Sequence, residues 1–450
     1  MIGKLFGTDG IRGKAGECPL DDRSVFGIGA ALAEFFRQST SREPKFVTGR
    51  DTRESGPHIE GLLHAGMKAR SANVISAGVI TTPGVAFAAR AFEQDAGVVI
   101  SASHNPFEDN GIKIFLPNGH KAPPETEDFI EKAIGGSDLI LPIDAHPVGI
   151  DERMSDEIHK GYLIFLASRF EGLDLSGKKL VIDCANGAAS GFADQLFSGF
   201  GAEVVTIFDQ PTGRNINAGC GSLHLGPLQS RVIQETAFCG IAFDGDADRA
   251  LFVDENGEIV DGDSTLWVIS RLLKGSSKLK NRTVVATVMS NIGLEIALNK
   301  EGITLVRTAV GDKYVLEELL RSNAEIGGEQ SGHIIYPEVS IVGDGMLTAL
   351  LMLNAAVENQ ASFSDLTSGF QRFPQTLVNV KVRAKLPFAE NDRISIESAQ
   401  VEEQLKGRGR LLLRYSGTEN LARIMIEGPE ENEIAMLADH LAKVIKEELG

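Results

Sequence analysis

Residues 178–209, KKLVIDCANGAASGFADQLFSGFGAEVVTIFD, decide the fold class of this chain. An apolar run of strand length is followed by a turn rich in small residues, an amphipathic helical stretch and a second apolar run. Strands that alternate with helices in this way pair in parallel, because the helix returns the chain to the same end of the sheet. The stretch therefore predicts an α/β unit.

The same order of elements recurs along most of the chain, although the repeated units share no alignable sequence. Beyond about residue 368 the pattern changes to that of a smaller α+β unit, with strands LVNVKVR and RLLLRYSGTENLARIMIEG and a closing helix. We expect α/β architecture with mixed, largely parallel sheets: three related α/β domains at 1–150, 151–253 and 254–367, and an α+β domain at 368–450. The further predicted strands are KFVTGRD (45–51), NVISAGV (73–79), AGVVISAS (96–103), CGIAFDGD (239–246), RTVVATVMS (282–290), ITLVRTAVGD (303–312) and EIGGEQSG (325–332).

Composition and charge exclude several classes of protein. The 450 residues are about three times the length typical of one domain. A net charge of −18 argues against broad nucleic-acid binding and against attachment to an anionic membrane. Four cysteines without CxxC spacing indicate a reducing compartment. With no signal peptide and no apolar run near eighteen residues, the chain is expected to be cytoplasmic.

The motif DGDADR places Asp244, Asp246 and Asp248 at alternating positions just after an apolar strand. Three carboxylates this close repel one another unless a cation lies between them. All-oxygen ligands without His or Cys favour magnesium over zinc. An EF-hand loop would place Glu255 at its twelfth position, but Arg249 stands where that loop requires glycine, and the following residues predict a hairpin. A solvated acidic turn is the alternative.

The stretch RYSGTENLAR supplies hydroxyls, glycine and two guanidinium groups around one turn between two strands. These groups are what a phosphate dianion requires, which makes the turn a candidate phosphate loop. An ordinary β-turn explains the composition equally well. The candidate ligands are Arg414, Ser416, Gly417, Thr418 and Arg423.

The stretch GGEQSGH brings Glu329 and Ser331 into one loop and ends at His333. A carboxylate and a hydroxyl suit neutral polar ligands such as sugar hydroxyls. A single histidine in such a position is more often structural than catalytic, so His333 needs other support. The loop is a candidate sugar-binding site.

Ser103 and His104 stand in a turn at the end of a predicted strand, a position at which sheet proteins present chemistry. The GxSxG elbow of serine hydrolases is missing, and adjacent residues seldom form the serine-to-histidine bond of a triad. A serine combined with a metal site and a phosphate loop indicates phosphoryl transfer, in which the serine carries the phosphoryl group. Without those other motifs, a turn-capping role would be preferred.

Five ordered motifs resemble those of the α-D-phosphohexomutase superfamily, and most closely its phosphoglucosamine mutase branch. The resemblance extends from residue 4 to about 428. Two motifs carry the likeness to that branch, FGTDGIRG and GGEQSGH, while SASHNP and DGDADR are shared with phosphoglucomutases and phosphomannomutases. The motifs are FGTDGIRG (6–13), SASHNP (101–106), DGDADR (244–249), GGEQSGH (327–333) and RYSGTEN (414–420).

The resemblance implies a role for each motif residue. Ser103 becomes the phosphoserine, and its phosphate completes the shell of one Mg²⁺ bound by the three aspartates of DGDADR. Glu329 and Ser331 hold the sugar, and the candidate phosphate loop holds the phosphate that is not being transferred. The loop carries Tyr415 and Asn420 where prolines are common in the family, and DGDADR carries Ala247 where glycine is common. The remaining candidates are Arg12 for substrate binding, Arg249 for catalysis, and His104, Lys113 and His333 for proton transfer, among which the sequence does not choose.

The resemblance also implies a reaction and its partners. Four domains around one cleft would interconvert glucosamine 6-phosphate and glucosamine 1-phosphate through a bound glucosamine 1,6-bisphosphate, on the route to UDP-N-acetylglucosamine. The partner is then a small amino-sugar phosphate, with no nucleic acid and no membrane, and a homodimer is left open. Three alternatives remain: a phosphoglucomutase or phosphomannomutase, a metal-dependent phosphatase, and a sugar-phosphate sensor without turnover.

Overall fold

The structure, a computed structural model, describes residues 5–7, 9–135, 145–416 and 419–450. The described residues divide into two compact units. The first unit consists of residues within 1–287 and 308–367, and the second consists of residues within 288–307 and 368–450. Within the described residues, every helix is too short or too polar to span a lipid bilayer.

The first α/β segment contains a six-stranded mixed sheet in the order β1-β2-β6-β5-β3-β4. Strands β3, β4 and β5 are parallel, and β5 pairs antiparallel with β6. Every residue of β5 is buried, which explains its uninterrupted apolar sequence. The elements are β1 Phe6–Gly7, β2 Gly10–Lys14, α1 Asp22–Thr40, β3 Lys45–Arg50, α2 Gly56–Lys68, β4 Asn73–Val79, α3 Thr82–Ala91, β5 Ala96–Ile100, β6 Asp109–Phe115 and α4 Pro124–Gly135. The polar, proline-containing stretch 117–150 predicts a helix and a linker. Helix α4 lies in this stretch, and residues 136–144 lie outside the described residues.

The second segment contains a five-stranded sheet in the order β11-β10-β9-β7-β8. The quoted stretch supplies the parallel pair β7 and β8, and β9 is parallel to β7 on the other side. Strands β10 and β11 form the hairpin expected after DGDADR. The elements are α5 Ser155–Ala167, β7 Lys179–Asp183, α6 Ala193–Ser198, β8 Glu203–Ile207, α7 Gly226–Glu235, β9 Cys239–Phe243, β10 Ala250–Val253 and β11 Ile259–Val260.

The third segment places β14 parallel to β12 and antiparallel to β15. Aspartate in DGDS (261–264) predicts an N-cap, and helix α8 does begin after Asp261, whose side chain accepts from the Ser264 backbone N–H. The elements are α8 Gly262–Gly275, β12 Thr283–Thr287, α9 Ile292–Lys300, β13 Thr304–Thr308, α10 Asp312–Ser322, β14 Ile326–Gly328, β15 Ile334–Ile335, α11 Gly345–Asn359 and α12 Phe363–Thr367. Helix α9 and most of β13 belong to the second compact unit.

The C-terminal segment is a three-stranded antiparallel sheet in the order β16-β18-β17. Apolar residues of the sheet and of α13 and α14 form one core, which includes Ile394, Ile424 and Leu441. The α+β character expected here is confirmed. The elements are β16 Gln375–Lys381, α13 Asp392–Leu405, β17 Arg410–Tyr415, β18 Leu421–Glu427 and α14 Glu431–Leu449.

The parallel strands determine where side chains can meet, because their carboxyl ends lie at one edge of each sheet. The loops that follow β3, β4 and β5 begin at residues 51, 80 and 101, and the loop that follows β9 contains DGDADR. The sheets are mixed, as expected. Their antiparallel edges arise because β6 and β10 return beside β5 and β9 after short loops.

Asp344, the N-cap of α11, gives a testable dependence of stability on pH. Its carboxylate accepts from the Leu347 backbone N–H at 3.0 Å and from the Tyr162 hydroxyl at 2.8 Å. Burial raises the pKa of Asp344 from 3.8 to about 6. Since the folded state then binds the proton more tightly than the unfolded chain, the contribution of Asp344 to stability falls as the pH rises from about 4 to about 6.

Between pH 5 and pH 7 the titration of Asp344 should lower the unfolding free energy of the unchanged chain by about 1 kcal/mol. We therefore expect the unfolding free energy of Asp344→Asn to fall less over the same range, by that amount. Urea unfolding at the two pH values measures the difference. Asp21→Asn, at the partly exposed N-cap of α1, is the matched control. Equal losses in Asp344→Asn and the unchanged chain would contradict the expectation.

Candidate active site

Ser103 lies in the turn after β5, with only 1% of its surface exposed. Its Oγ donates a hydrogen bond to Asp244 Oδ2 at 2.5 Å and lies 3.4 Å from His104 Nδ1. The backbone φ of Ser103 is +51°, in the left-handed region that serine rarely adopts. The serine at the end of its strand is therefore brought directly to the acidic motif of the second sheet.

The carboxylates of Asp244, Asp246 and Asp248 are buried and form one cluster. Each offers an oxygen within 4.8 Å of the others. The EF-hand alternative is excluded, because Glu255 accepts instead from Ser364 Oγ and the chain between forms the β10–β11 hairpin. A solvated acidic turn is excluded as well, since all three side chains are buried.

Two neighbours of the cluster explain its local geometry. A Cβ atom at Gly245 would lie 2.5 Å from the Ser103 carbonyl oxygen, so only glycine allows the two loops to approach this closely. Thr82, at the start of α3, donates from its Oγ1 to Asp246 Oδ2 at 2.6 Å, and its backbone N–H donates to the Asp246 carbonyl. Sequence reasoning missed Thr82, whose only signal was its position after a predicted strand.

The cluster fits a hard divalent cation. Among the described residues, Asp246 Oδ1 and Asp248 Oδ1 are buried without a hydrogen-bond partner. Burial raises the pKa of Asp244 well above its usual range, and the charges of Asp248 and Asp246 raise it further. Buried carboxylate oxygens with unused acceptor capacity are the ligands that Mg²⁺ prefers.

Lys113 is the cation that the structure itself places against the cluster. Its Nζ lies 3.0 Å from Asp246 Oδ2, 3.3 Å from Asp248 Oδ2 and 3.2 Å from Asp9 Oδ2. Burial opposes the charged ammonium, but these carboxylates outweigh it and hold the pKa of Lys113 well above its usual value. The side chain is 2% exposed, so it acts within the site rather than at the surface.

Six charged groups of alternating sign close into a ring, called here the charge ring. Lys121 Nζ lies 2.6 Å from both Asp9 Oδ1 and Asp312 Oδ2. His333 lies 3.5 Å from Asp248 and 3.9 Å from Asp312, measured from its two ring nitrogens. Sequence reasoning missed three members, although Asp9 belongs to a quoted motif. In order, the ring is Asp248, Lys113, Asp9, Lys121, Asp312 and His333.

The two histidines of the site have opposite electrostatic environments. Burial opposes protonation of His333, but Asp248, Asp312 and Glu329 outweigh it and raise its pKa to about 9. Burial, together with the nearby cations Arg249 and Arg12, lowers the pKa of His104 to about 4. Without a cation on the acidic cluster, His333 is therefore charged and His104 neutral at neutral pH.

The sugar-binding candidates lie in the turn between β14 and β15. The backbone N–H of Gly311 donates to Glu329 Oε1 at 3.2 Å, and Ser331 Oγ donates to Glu329 Oε2 at 3.5 Å. Arg249 Nε lies 3.7 Å from Asp248 Oδ1, which places this guanidinium between the acidic cluster and the turn. The predicted loop thus presents one carboxylate and one hydroxyl beside a cation.

A cavity of about 530 Å³ joins these groups, which is large enough for a hexose phosphate. Arg12 reaches it from β2, and its guanidinium donates to Asp9 Oδ2 at 2.6 Å and to Asn105 Oδ1 at 3.5 Å. The polar side chains that line the cavity are Asp9, Arg12, His104, Asp248, Arg249, Asp312, Glu329 and His333.

The candidate phosphate loop belongs to the second compact unit. Arg414 of β17 and Arg423 of β18 are cross-strand partners, and burial together with the charge of Arg423 lowers the pKa of Arg414. Ser416 is buried, and its Oγ accepts from Arg423 at 3.4 Å. Arg423 Nε is buried without a hydrogen-bond partner among the described residues, an arrangement that favours an anion. Gly417 and Thr418 lie outside the described residues.

Comparisons with known proteins agree with the arrangement of motifs. Models of phosphoglucomutase/phosphomannomutase match alpha/beta/alpha domain I at residues 3–139, domain II at 160–257, domain III at 261–373 and the C-terminal domain at 377–444. The phosphoglucosamine mutase of Solibacter usitatus is 46% identical over 450 residues, which is 100% of both chains.

Two solved structures share the fold at low sequence identity. A phosphoglucomutase/phosphomannomutase family protein from Burkholderia thailandensis has a TM-score of 0.79 at 23% identity and covers 99% of this chain and 98% of its own. N-acetylphosphoglucosamine mutase from Aspergillus fumigatus, in complex with GlcNAc-6P and magnesium, has a TM-score of 0.70 at 18% identity, with 99% and 96% covered. From the four matched domains and the full-length relatives, we conclude that the chain belongs to the phosphoglucomutase/phosphomannomutase family.

Proposed function

We propose that this chain is a phosphoglucosamine mutase that interconverts glucosamine 6-phosphate and glucosamine 1-phosphate. The observation that carries the proposal is the contact of 2.5 Å between Ser103 Oγ and Asp244, inside a buried cluster of three aspartates. It is supported by full-length relatives named phosphoglucosamine mutase at 44–46% identity. The substrate is a small amino-sugar phosphate.

The reaction begins with Ser103 carrying a phosphoryl group. The O1 hydroxyl of glucosamine 6-phosphate attacks the phosphorus, the bond between phosphorus and Ser103 Oγ breaks, and the hydroxyl proton passes to a group of the site. Ser103 Oγ takes up a proton from the site as it leaves, so the products are glucosamine 1,6-bisphosphate and a free Ser103 hydroxyl. Mg²⁺ bound by the three aspartates would supply positive charge that offsets the charge of the phosphoryl group.

The second half of the reaction reverses the first at the other end of the sugar. The bisphosphate turns, and its 6-phosphoryl group passes to Ser103 Oγ as the bond between phosphorus and O6 breaks. The Ser103 hydroxyl gives its proton to the site, O6 takes up a proton, and glucosamine 1-phosphate leaves. Glu329 and Ser331 hold the sugar hydroxyls, and Arg12 and Arg249 provide positive charge in the cavity that Glu329 lines. We assign a phosphate-binding role to Arg414, Ser416, Gly417, Thr418 and Arg423.

We assign the proton transfer to His333 in its neutral form. A cation bound by Asp248 would offset the carboxylate charge that raises the pKa of His333, and so would favour that form. His333 lines the cavity together with Glu329, whereas the ammonium of Lys113 is enclosed by three carboxylates. His104 also lines the cavity, and its Nδ1 lies 3.4 Å from Ser103 Oγ. Lys113 contacts the acidic cluster and both histidines line the cavity, so the assignment must be tested on each.

We expect His333→Gln to slow the single-turnover transfer from phospho-Ser103 to the sugar by about 10²- to 10⁴-fold. Lys113→Met and His104→Gln are measured beside it under rapid quench, with circular dichroism to establish that each variant is folded. If Lys113→Met or His104→Gln slows the transfer more than His333→Gln does, the proton-transfer role belongs to the residue replaced in that variant. If all three variants slow the transfer equally and by less than about tenfold, none of the three residues is the proton-transfer group.

Phosphorus NMR tests the activity itself. The purified chain is supplied with magnesium, a trace of the matching hexose bisphosphate, and glucosamine, glucose or mannose 6-phosphate in parallel. The fastest growth of a 1-phosphate signal from glucosamine 6-phosphate is the expected result. Preference for glucose or mannose would make the chain a phosphoglucomutase or phosphomannomutase, and inorganic phosphate alone would overturn the mutase assignment.

A further inference from the structure

Arg53 is a buried arginine whose five guanidinium N–H groups all have partners. Its Nε donates to Asp51 Oδ2 at 2.9 Å. The two terminal nitrogens donate to four backbone carbonyls of the loop that carries Ser103. These carbonyls belong to Ser103 at 2.9 Å, Asn105 at 2.8 Å, Asp109 at 3.0 Å and Pro106. A guanidinium that serves four carbonyls of one seven-residue stretch fixes the path of that stretch.

Arg53 also fixes the backbone N–H group of Ser103, through the side chains of Asp51 and Ser101. The Ser103 backbone N–H donates to Ser101 Oγ at 2.9 Å. Ser101 Oγ donates in turn to Asp51 Oδ2 at 2.6 Å, the oxygen that also accepts from Arg53 Nε. Both peptide groups that flank the Ser103 Cα are therefore tied to one buried ion pair.

Asn217 holds the loop from the opposite side and belongs to the second α/β segment. Its Nδ2 donates to the carbonyl oxygens of Ser103 at 2.9 Å and Asn105 at 3.0 Å, two of the oxygens that Arg53 also contacts. The side chain is held in place by a left-handed backbone at Asn217, with φ of +57°. Gly245 leaves the space for this contact, because a Cβ there would lie 2.9 Å from Asn217 Nδ2.

These contacts explain how Ser103 stays in an unfavourable backbone conformation. A left-handed serine costs on the order of 1 kcal/mol or more, so the conformation persists only where the surroundings determine it. In that conformation the Oγ lies 2.5 Å from Asp244 Oδ2. A relaxed backbone at Ser103 would turn the side chain away from the acidic cluster.

We propose that Arg53 and Asn217 are positioning residues, which hold Ser103 in the left-handed conformation that aims its Oγ at the acidic cluster. The proposal rests on the function proposed above, in which Ser103 donates the phosphoryl group. Neither residue lines the sugar cavity. Their loss should therefore slow phosphoryl transfer while leaving the affinity for sugar phosphate unchanged.

The variant Asn217→Gly tests the proposal, because glycine keeps the left-handed backbone and removes only the amide donor. Asn281→Gly is the matched control: Asn281 also has positive φ and donates from Nδ2 to a backbone carbonyl, that of Ser322, far along the chain from Ser103. We expect Asn217→Gly to lower kcat about 10- to 100-fold with KM changed less than twofold. Asn281→Gly should change neither.

Arg53→Lys provides a second variant, since lysine keeps the charge but has only three donors on one nitrogen. It should lower kcat by more than Asn217→Gly does, again without raising KM. A rise in KM with unchanged kcat in both variants would overturn the proposal, as would unchanged kinetics. If Arg53→Lys does not fold, the result for Asn217→Gly decides.

Hydrogen exchange separates a failure of this proposal from a failure of the proposed function, because it needs no substrate. The amides of residues 101–109 should exchange faster in Asn217→Gly than in the unchanged chain and in Asn281→Gly. Equal exchange would overturn the positioning role even if the chain is an active mutase. If the amides exchange faster in Asn217→Gly but the unchanged chain has no mutase activity, the positioning role stands and the proposed function is wrong.

Discussion

Replacing Ser103 with alanine is expected to abolish both the enzyme-bound phosphate and the mutase activity. The proposed reaction passes every phosphoryl group through Ser103 Oγ, and loss of a covalent nucleophile in other enzymes costs roughly 10⁴-fold or more in turnover. Because the Oγ also donates to Asp244, its removal leaves that buried carboxylate without the donor. Intact-mass measurement of bound phosphate and the phosphorus NMR assay report the two losses separately.

Ser190→Ala is the matched control for this variant. Ser190 Oγ is buried without a hydrogen-bond partner among the described residues, so its removal breaks no contact of that kind. It should retain bound phosphate and activity. Phosphate that remains on Ser103→Ala after treatment with the bisphosphate would place the phosphoryl carrier on another residue and contradict the proposed mechanism.

Replacing Asp246 with asparagine is expected to weaken magnesium binding and to lower single-turnover phosphoryl transfer at least about 10²-fold. The chain holds Asp246 through its Oδ2, which both Thr82 Oγ1 and Lys113 Nζ contact. Its Oδ1 is left for the cation, and the substitution removes the negative charge from that oxygen. Titration calorimetry with Mg²⁺ alone measures the affinity.

Asp209→Asn is the control for the change of charge. Asp209 follows β8 and accepts from Thr206, outside the acidic cluster. It should leave magnesium affinity and transfer rate unchanged. If Asp246→Asn bound magnesium as tightly as the unchanged chain, the ion would have to lie elsewhere, and the metal site proposed here would be wrong.

Much of the fold follows from the sequence because its signals are local. The buried strand β9 and the carboxylates just after it stand together in one short stretch, and the hairpin β10–β11 follows at once. The cap of α8 depends on residues three positions apart, Asp261 and Ser264. In each case the interacting groups are close in sequence, so residue type and spacing are sufficient to predict them.

The parts that could not be predicted depend on contacts between distant segments. Arg53 lies two residues beyond the predicted strand KFVTGRD, but its four carbonyl partners lie about fifty positions further on. Lys121 and Asp312, 191 positions apart, meet only because the first and third segments pack together. A carbonyl acceptor has no sequence signature, since every residue carries one. Sequence motifs therefore do not identify supporting residues of this kind.

The charge ring has a consequence for how substitutions combine. Each member has two neighbours of opposite sign, so removing one charge leaves two buried or half-buried groups with a partner missing. The removal of a neighbour afterwards costs less, because the contact between them is already lost. Effects of paired substitutions such as Lys121→Met with Asp312→Leu will then be smaller than the sum of the single effects. Adjacent members of the ring should accordingly change together more easily during evolution than either does alone.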